Sequence, residues 1–275
     1  MAETRQKAGS RAAVTLPAAP RVFVPLIQTP SERLPPQVIR VAHQLMLDIV
    51  AERYKPGEWI REQEVASRLS CSRAPVREAL RLIEIDGLIE MVPWRGARVV
   101  TLTLDEIDDL FVLVGALMGV VARFAAANAS DKDIAEFEVR VEAIGSCITR
   151  GKPIAEELAL AFAAAAHLGV ICGSQRAAWM FQRVGNLAFW QHQAVLSANL
   201  AWRRSQHQKW GQLATALKER SARKADAIAQ RLVNQSRLFA IAQLKAEAAA
   251  LQARIGKGRG ERVKADRRGG AREPA

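Results

Sequence analysis

The stretch from Arg61 to Val100 reads REQEVASRLSCSRAPVREALRLIEIDGLIEMVPWRGARVV, and it decides the fold of the N-terminal part of the chain. Its apolar spacing predicts a helix, a short polar turn, a second helix over about 72–86 and a β-hairpin over about 88–100. Ser72 suits the N-cap of the second helix, and Pro75 fits its first turn, where a missing N–H costs nothing. Gly87 suits the C-terminal end of that helix. The pattern is typical of a winged helix-turn-helix.

Three arginines, Arg73, Arg77 and Arg81, lie four residues apart and therefore share one face of the second helix. On an isolated helix such a row is more often a solvated face than a binding site. Here it coincides with the turn, the N-cap, the proline and a basic hairpin tip at Arg95. A B-DNA major groove about 12 Å wide admits one α-helix, whose first turns reach the base edges. The combination therefore predicts double-stranded DNA as a partner.

The chain resembles the GntR family of bacterial transcription regulators in ordered motifs that cover about residues 37–100, namely YKPGEWI at 54–60, ExEVA at 62–66, SRAPVREAL at 72–80, DGL at 86–88 and RGA at 95–97. The resemblance implies that Arg73, Arg77 and Arg95 touch DNA, and that Gly96 lets the wing approach closely. Gln63 stands where the family often has an arginine, and it can still reach a phosphate or a base edge. The predicted DNA-contacting set is Gln63, Ser72, Arg73, Ala74, Arg77, Arg81, Arg95 and Gly96.

Length and composition predict two folded domains with basic ends. The chain has 275 residues, of which 49% are hydrophobic, and a formal net charge of +12. We expect a disordered basic arm at 1–35, a winged helix-turn-helix domain at 36–101, an all-helical domain at 102–252 and a disordered basic tail at 253–275. Eight Lys or Arg against three Asp or Glu lie in residues 254–275. Such tails suit phosphate neutralisation.

The second domain is predicted to be a helical bundle, which makes the fold class mostly α. Thr103-Leu104-Asp105-Glu106 is a capping box that marks its start. No convincing strand pattern follows, and short connections favour antiparallel helices. The predicted helices are 104–128, 131–149, 153–171, 175–188, 190–204, 206–219 and 221–252. The segment 158–175 has no Asp, Glu, Lys or Arg, and we interpret it as a buried bundle helix and not as a membrane span.

A bundle behind this kind of winged helix resembles the FCD branch of the GntR family, which senses small carboxylates, often through a bound metal. The branch's first-helix arginine and glutamate positions are occupied here by Val114 and Met118. Its metal-ligand positions are occupied by residues without suitable ligand atoms, namely Ala161, Ala165, Trp210 and Leu232. We therefore predict no metal and no cofactor.

The interior of the bundle offers two interpretations. Large rings at Trp179, Phe181, Phe189, Trp190, Trp202 and Trp210 are most simply core residues. The alternative is an apolar effector pocket, for which the candidate residues are Val114, Met118, Ala165, His167 and Trp210. His167, His192 and His207 share no i, i+4 spacing that would favour a metal site.

These observations predict a sequence-specific DNA-binding transcription regulator that is a homodimer, because paired half-sites need paired readers. Cys71, Cys147 and Cys172 form no CxxC motif, and with no secretion signal they indicate free thiols in the cytoplasm. One alternative is a nucleoid-type protein with little sequence preference. Another is a metal-binding or small-molecule enzyme module, for which no catalytic constellation is present, so we expect no enzyme.

Overall fold

The computed structural model describes residues 34–50, 53–85, 87–189 and 198–269, which are mostly helical. In chain order the elements are α1 (Pro36–Val50), β1 (Trp59–Ile60), α2 (Glu62–Arg68), α3 (Arg73–Ile85), β2 (Ile89–Val92), β3 (Gly96–Val99), α4 (Leu104–Asn128), α5 (Asp131–Thr149), α6 (Ile154–Ile171), α7 (Gln175–Phe189), α8 (Leu200–Lys218) and α9 (Ala222–Gly269). Nearly all of the predicted N-terminal arm, residues 1–33, lies outside the described residues.

The first core joins α1, α2, α3 and the small sheet. Val41, Leu45 and Met46 of α1 are almost fully buried and belong to the same apolar cluster as the inner face of α3. Asp48 is also buried, and its Oδ2 lies 2.5 Å from Arg68 Nη1, an ion pair that links α1 to α2. This core fixes α3 with its opposite face exposed.

The wing is a three-stranded antiparallel sheet with the order β1-β3-β2. The predicted hairpin is confirmed, with Val92 opposite Gly96 at its end. The strand β1 was not predicted, because two residues are too short to show an alternating pattern. Its pairing places Ile60 opposite Ala97 and brings the start of α2 beside the wing.

The second core is a bundle in which α4 packs along α9 and α7, and α8 packs against α5 and α9. The predicted capping box is confirmed, since Thr103 Oγ1 accepts from the Glu106 N–H at 3.3 Å and Glu106 Oε2 accepts from the Thr103 N–H at 2.7 Å. The same motif starts α5 at Ser130 and Asp133.

Three sequence predictions for the C-terminal half are wrong. The predicted break near residue 205 is absent, because α8 is one continuous helix. Ser205 accepts a hydrogen bond from Gln235 of α9, and Gln206 donates one to Ser236 of α9. The predicted helix 190–204 is interrupted, because residues 198 and 199 are not helical and α8 begins at Leu200, while residues 190–197 lie outside the described part. The tail predicted as disordered from residue 253 continues α9 to Gly269. The alanines and charged residues of this segment have high helix propensity, which offsets the several glycines. Each glycine lowers the stability of the helix by about 1 kcal/mol relative to alanine.

Two helices, α4 and α6, are long and apolar enough to cross a membrane by length and composition alone. Half of the apolar window of α4 and 39% of that of α6 are buried inside the protein. Core helices of soluble proteins meet the same two criteria, so these helices are weak evidence for a membrane span.

Candidate nucleic-acid interface

The start of α3, the start of α2 and the tip of the wing form one groove of about 1270 Å³. Its lining includes four arginines that come from separate parts of the sequence, Arg61, Arg68, Arg73 and Arg77, together with Arg95 from the wing. Gln63 and Gly96 also line it. The fold therefore brings five of the eight predicted DNA-contacting residues, Gln63, Arg73, Arg77, Arg95 and Gly96, to one concave surface.

The helix α3 presents its arginines because its other face is completely buried. Val76, Leu80 and Ile83 have no exposed surface. The side chains of Arg73 and Arg77 are 62% and 51% exposed. An apolar stripe at i, i+4 and i+7 anchors the helix, so its first two turns project their charged side chains into the groove.

A carboxylate that the sequence analysis did not assign to the site pairs with both arginines. Glu62 Oε2 accepts from Arg73 Nη2 at 3.1 Å and from Arg77 Nη2 at 3.0 Å, while Glu62 Oε1 accepts from Arg77 Nε at 3.1 Å. The bond to Arg77 is therefore bidentate, the geometry that holds a guanidinium plane most firmly. Glu62 is 11 and 15 residues from its partners, so no local spacing signals the contact.

Electrostatics keep Glu62 charged at neutral pH. Hydrogen bonds from Arg77 hold the pKa of the Glu62 carboxyl below its ordinary value, against the opposing effect of partial burial, and the same contact raises the pKa of Arg77. Because the pKa of Glu62 is lowered, the pairing is present at neutral pH and is lost only as the pH falls through that lowered value. Any anion that binds Arg73 and Arg77 in this groove must therefore compete with Glu62 for both arginines.

The remaining predicted contact residues lie around the groove. Ser72 and Ala74 are exposed at the start of α3, and no cap bond defines Ser72 as the N-cap among the described contacts. Arg81 lies one turn beyond Arg77 and pairs with Glu78 Oε1 at 3.0 Å. Arg98, which the sequence analysis did not single out, pairs with Glu90 and lies 5.6 Å from the Trp59 ring centre. Neither Arg81 nor Arg98 is among the described residues that line the groove.

The effector-pocket candidates of the bundle belong to its packed interior. Val114, Met118 and Trp210 are buried in the second core, and Ala165 packs against it. His167 is buried, and its Nε2 lies 3.2 Å from the Asp133 carbonyl oxygen. The Phe137 ring lies 6.5 Å from the His167 ring and 6.1 Å from the Trp210 ring, measured between centres. Aromatic packing thus occupies the space between two of the candidates, and the effector pocket stays a prediction.

The histidines, cysteines and carboxylates of the described residues do not converge as metal ligands do. Within 34–50, 53–85, 87–189 and 198–269 no group of three or more His, Cys, Asp or Glu side chains could hold a metal ion. His207, the other histidine described in the bundle, has its Nε2 3.2 Å from the Val141 carbonyl oxygen. The three cysteines are free thiols.

Comparison with known proteins agrees with this architecture in both halves. The family model described as bacterial regulatory proteins, gntR family, matches residues 38–99, and the FCD domain matches residues 109–235. The chain belongs to the GntR family. It carries the FCD type of second domain, and the family consists of transcriptional regulators.

Several relatives of this GntR chain are known. An uncharacterized HTH-type transcriptional regulator of Bacillus subtilis, YdhC, is 28% identical over 116 residues, which are 42% of this chain and 52% of YdhC. The Nta operon transcriptional regulator of Aminobacter aminovorans is 34% identical over 86 residues, 31% of this chain and 41% of the relative. The chain thus spans about half the length of the curated relatives it matches. The solved structure of Escherichia coli McbR/YncC shares the fold, with a TM-score of 0.58, 18% identity and coverage of 77% of this chain and 100% of that one.

Replacing Glu62 with glutamine tests the role of the carboxylate in this groove. We expect affinity for random-sequence DNA to rise about 3- to 10-fold at low salt, and the slope of log K against log salt to steepen by about one. The reason is that Arg73 and Arg77 lose a charged competitor for phosphate. Fluorescence anisotropy at several salt concentrations measures both quantities.

Glu64→Gln is the matched control for this variant. It removes the same charge two residues along α2, and Glu64 lines the same groove. Among the described residues its ion pair is with Arg61, at 3.5 Å, and both side chains are more than half exposed. It should leave the salt slope nearly unchanged. If Glu62→Gln instead abolished DNA binding in a folded protein, Glu62 would orient the arginines and would not restrain them.

Proposed function

We propose that this GntR-family chain is a sequence-specific DNA-binding transcription regulator of the cytoplasm. The observation that carries the proposal is the shared groove, in which an exposed helix N-terminus and a wing tip present Arg73, Arg77 and Arg95 together. In this arrangement α3 enters a major groove and the wing lies along the flanking backbone. The names of relatives, such as the Nta operon transcriptional regulator, support a role in transcription regulation.

In vitro selection of bound DNA from a random pool tests this function. A regulator is expected to recover one short inverted-repeat sequence and to bind it about 10³-fold or more tightly than random DNA. Recovery of no preferred sequence, with strong salt-dependent binding to every duplex, would favour the nucleoid-type alternative. Repeating the selection with cell metabolites present shows whether a small-molecule effector changes the outcome.

The proposed homodimer is supported by an apolar stripe on α4 that the bundle leaves exposed. Leu113, Ala116, Val120 and Phe124 follow one another at intervals of three or four residues and share one face. The opposite face of α4 is buried in the core, so the helix is apolar all round, which is a property of helices that are covered on every side. A second copy of the chain would bury this stripe and would also supply a second α3 for the other half-site.

Charge placement along α4 also suits a second copy. Asp109 is exposed before the stripe, and the side chain of Arg123 is 62% exposed near its far end. If two α4 helices cross antiparallel near Ala116, each Asp109 faces the Arg123 of the other copy. The small alanine at the crossing allows the two helices to approach closely.

Val120→Lys is expected to convert the dimer to a monomer, because it places a charge in the middle of the stripe. Sedimentation equilibrium measures the molecular mass, and circular dichroism checks that the bundle is still helical. Val139→Lys is the matched control, since Val139 is 63% exposed on α5, away from the stripe. A Val120→Lys protein that remains dimeric would place the dimer interface elsewhere.

A further inference from the structure

Trp94 occupies the tip of the wing in a conformation that a tryptophan seldom adopts. The Arg95 N–H donates to the Val92 carbonyl oxygen at 3.0 Å and closes a turn through Pro93 and Trp94. Trp94 is the third residue of this turn and has a φ of 66°. Proline in the second position and a positive φ in the third define a type II turn, whose third position favours glycine or asparagine. A bulky side chain there is strained.

The indole ring is also not stabilised by packing against the described residues. Trp94 is fully exposed, at 105% of its reference surface, so no described residue covers the ring. A glycine would relieve the strain, and a polar residue would suit the solvent better. Strain combined with an exposed aromatic ring at one residue is a feature of functional sites, where the cost is offset by a ligand.

The neighbours of Trp94 identify that ligand as DNA. Arg95 and Gly96 line the groove that holds Arg73 and Arg77, so the tip of the wing lies at the end of the DNA-binding surface. Arg95 and Trp94 place a cation next to an aromatic ring. At the edge of a DNA groove, such a cation can bind a phosphate while the ring contacts the bases. Proteins insert apolar side chains from the minor groove between base pairs, most easily at pyrimidine–purine steps, which unstack readily.

We propose that Trp94 is a DNA-contacting wedge, whose indole enters the minor groove and unstacks a base step at the outer edge of each half-site. This inference rests on the proposed function, because it requires an operator. It adds a specificity mechanism that Arg73 and Arg77 do not provide. The wing then favours DNA whose flanking base step is easily unstacked, while α3 reads base edges in the major groove.

The test uses the full chain and the operator that selection recovers. The base analogue 2-aminopurine, which fluoresces more strongly when unstacked, is placed in turn at each step that flanks a half-site. The wild-type protein should raise its fluorescence several-fold at one step on each side. Trp94→Gly should abolish this increase and weaken operator binding about tenfold. Trp94→Phe, which keeps an aromatic ring, should give intermediate values for both.

Thermal stability separates a wedge from a structural tryptophan. Trp94→Gly should unfold at the same temperature or a few degrees higher, because glycine adopts the positive φ without strain. A lower unfolding temperature, an unchanged operator affinity, or no fluorescence increase with the wild-type protein would each overturn the inference. If selection recovered no preferred operator, the proposed function would fail instead, and this outcome is visible before any variant is made.

Discussion

Arg77→Ala is expected to weaken binding to the selected operator by about 10- to 100-fold and to relax the preference at one base pair in each half-site. Arg77 lies in the second turn of α3, and buried Val76 and Leu80 hold that turn against the core. Glu62 holds the Arg77 guanidinium in a plane through two hydrogen bonds. When the Arg77 guanidinium leaves this carboxylate, it can bond instead to O6 and N7 of a guanine, which offer two acceptors in the same bidentate geometry.

Two other arginines give the contrast that makes the Arg77 result specific. Arg95→Ala should weaken binding to all sequences by similar factors, because a wing tip contacts phosphates that carry no sequence information. Arg81→Ala should have the smallest effect, since Arg81 lies one turn farther along α3 and is not among the described residues that line the groove. Selection repeated with each variant measures base preference, and anisotropy measures affinity. An Arg77→Ala protein with full affinity and unchanged base preferences would contradict the proposed reading helix.

Arg203→Met is expected to lower the free energy of unfolding of the bundle by about 3–4 kcal/mol. Arg203 Nε lies 2.5 Å from Glu157 Oε2, and the two side chains are only 13% and 5% exposed. Arg203 Nη2 also donates to the Lys152 carbonyl oxygen at 2.9 Å. Methionine keeps the packing of the side-chain stem but leaves the Glu157 carboxylate buried without a positive partner, and that desolvated charge is the source of the loss.

Arg204→Met is a matched control, because Arg204 is the next residue on α8 and is exposed. Its effect should stay within about 0.5 kcal/mol. Adding Glu157→Gln to Arg203→Met should restore much of the lost stability, since the uncompensated charge is then removed. Urea denaturation followed by far-ultraviolet circular dichroism measures all three proteins. Equal effects of Arg203→Met and Arg204→Met would show that the buried pair contributes no net stability.

The predictions for the recognition helix and the wing depended on local pattern, and they agree with the structure. The recognition helix was predicted over 72–86 and spans Arg73–Ile85, because Val76, Ala79, Leu80 and Ile83 repeat with the period of a helix. The wing follows from two apolar runs that flank a proline-containing tip. The prediction of a flexible tail depended on composition, and it was wrong where α9 continues to Gly269. Composition reflects the behaviour of a segment on its own. Adding residues to an existing helix costs less than starting one, so a helix that begins in a packed core can extend beyond it.

The sequence by itself determined the family, the second helix and the wing of the winged helix-turn-helix, and the row of arginines on that helix, since each is encoded by residues within a few helical turns of one another. Only the tertiary structure decided which carboxylate those arginines contact. Glu62 meets Arg73 and Arg77 because the pairing of β1 with β3 and the packing of α2 on α3 bring distant segments together. An ion pair depends on the distance between two charges in space, and a chain that folds back on itself makes that distance independent of their separation in sequence.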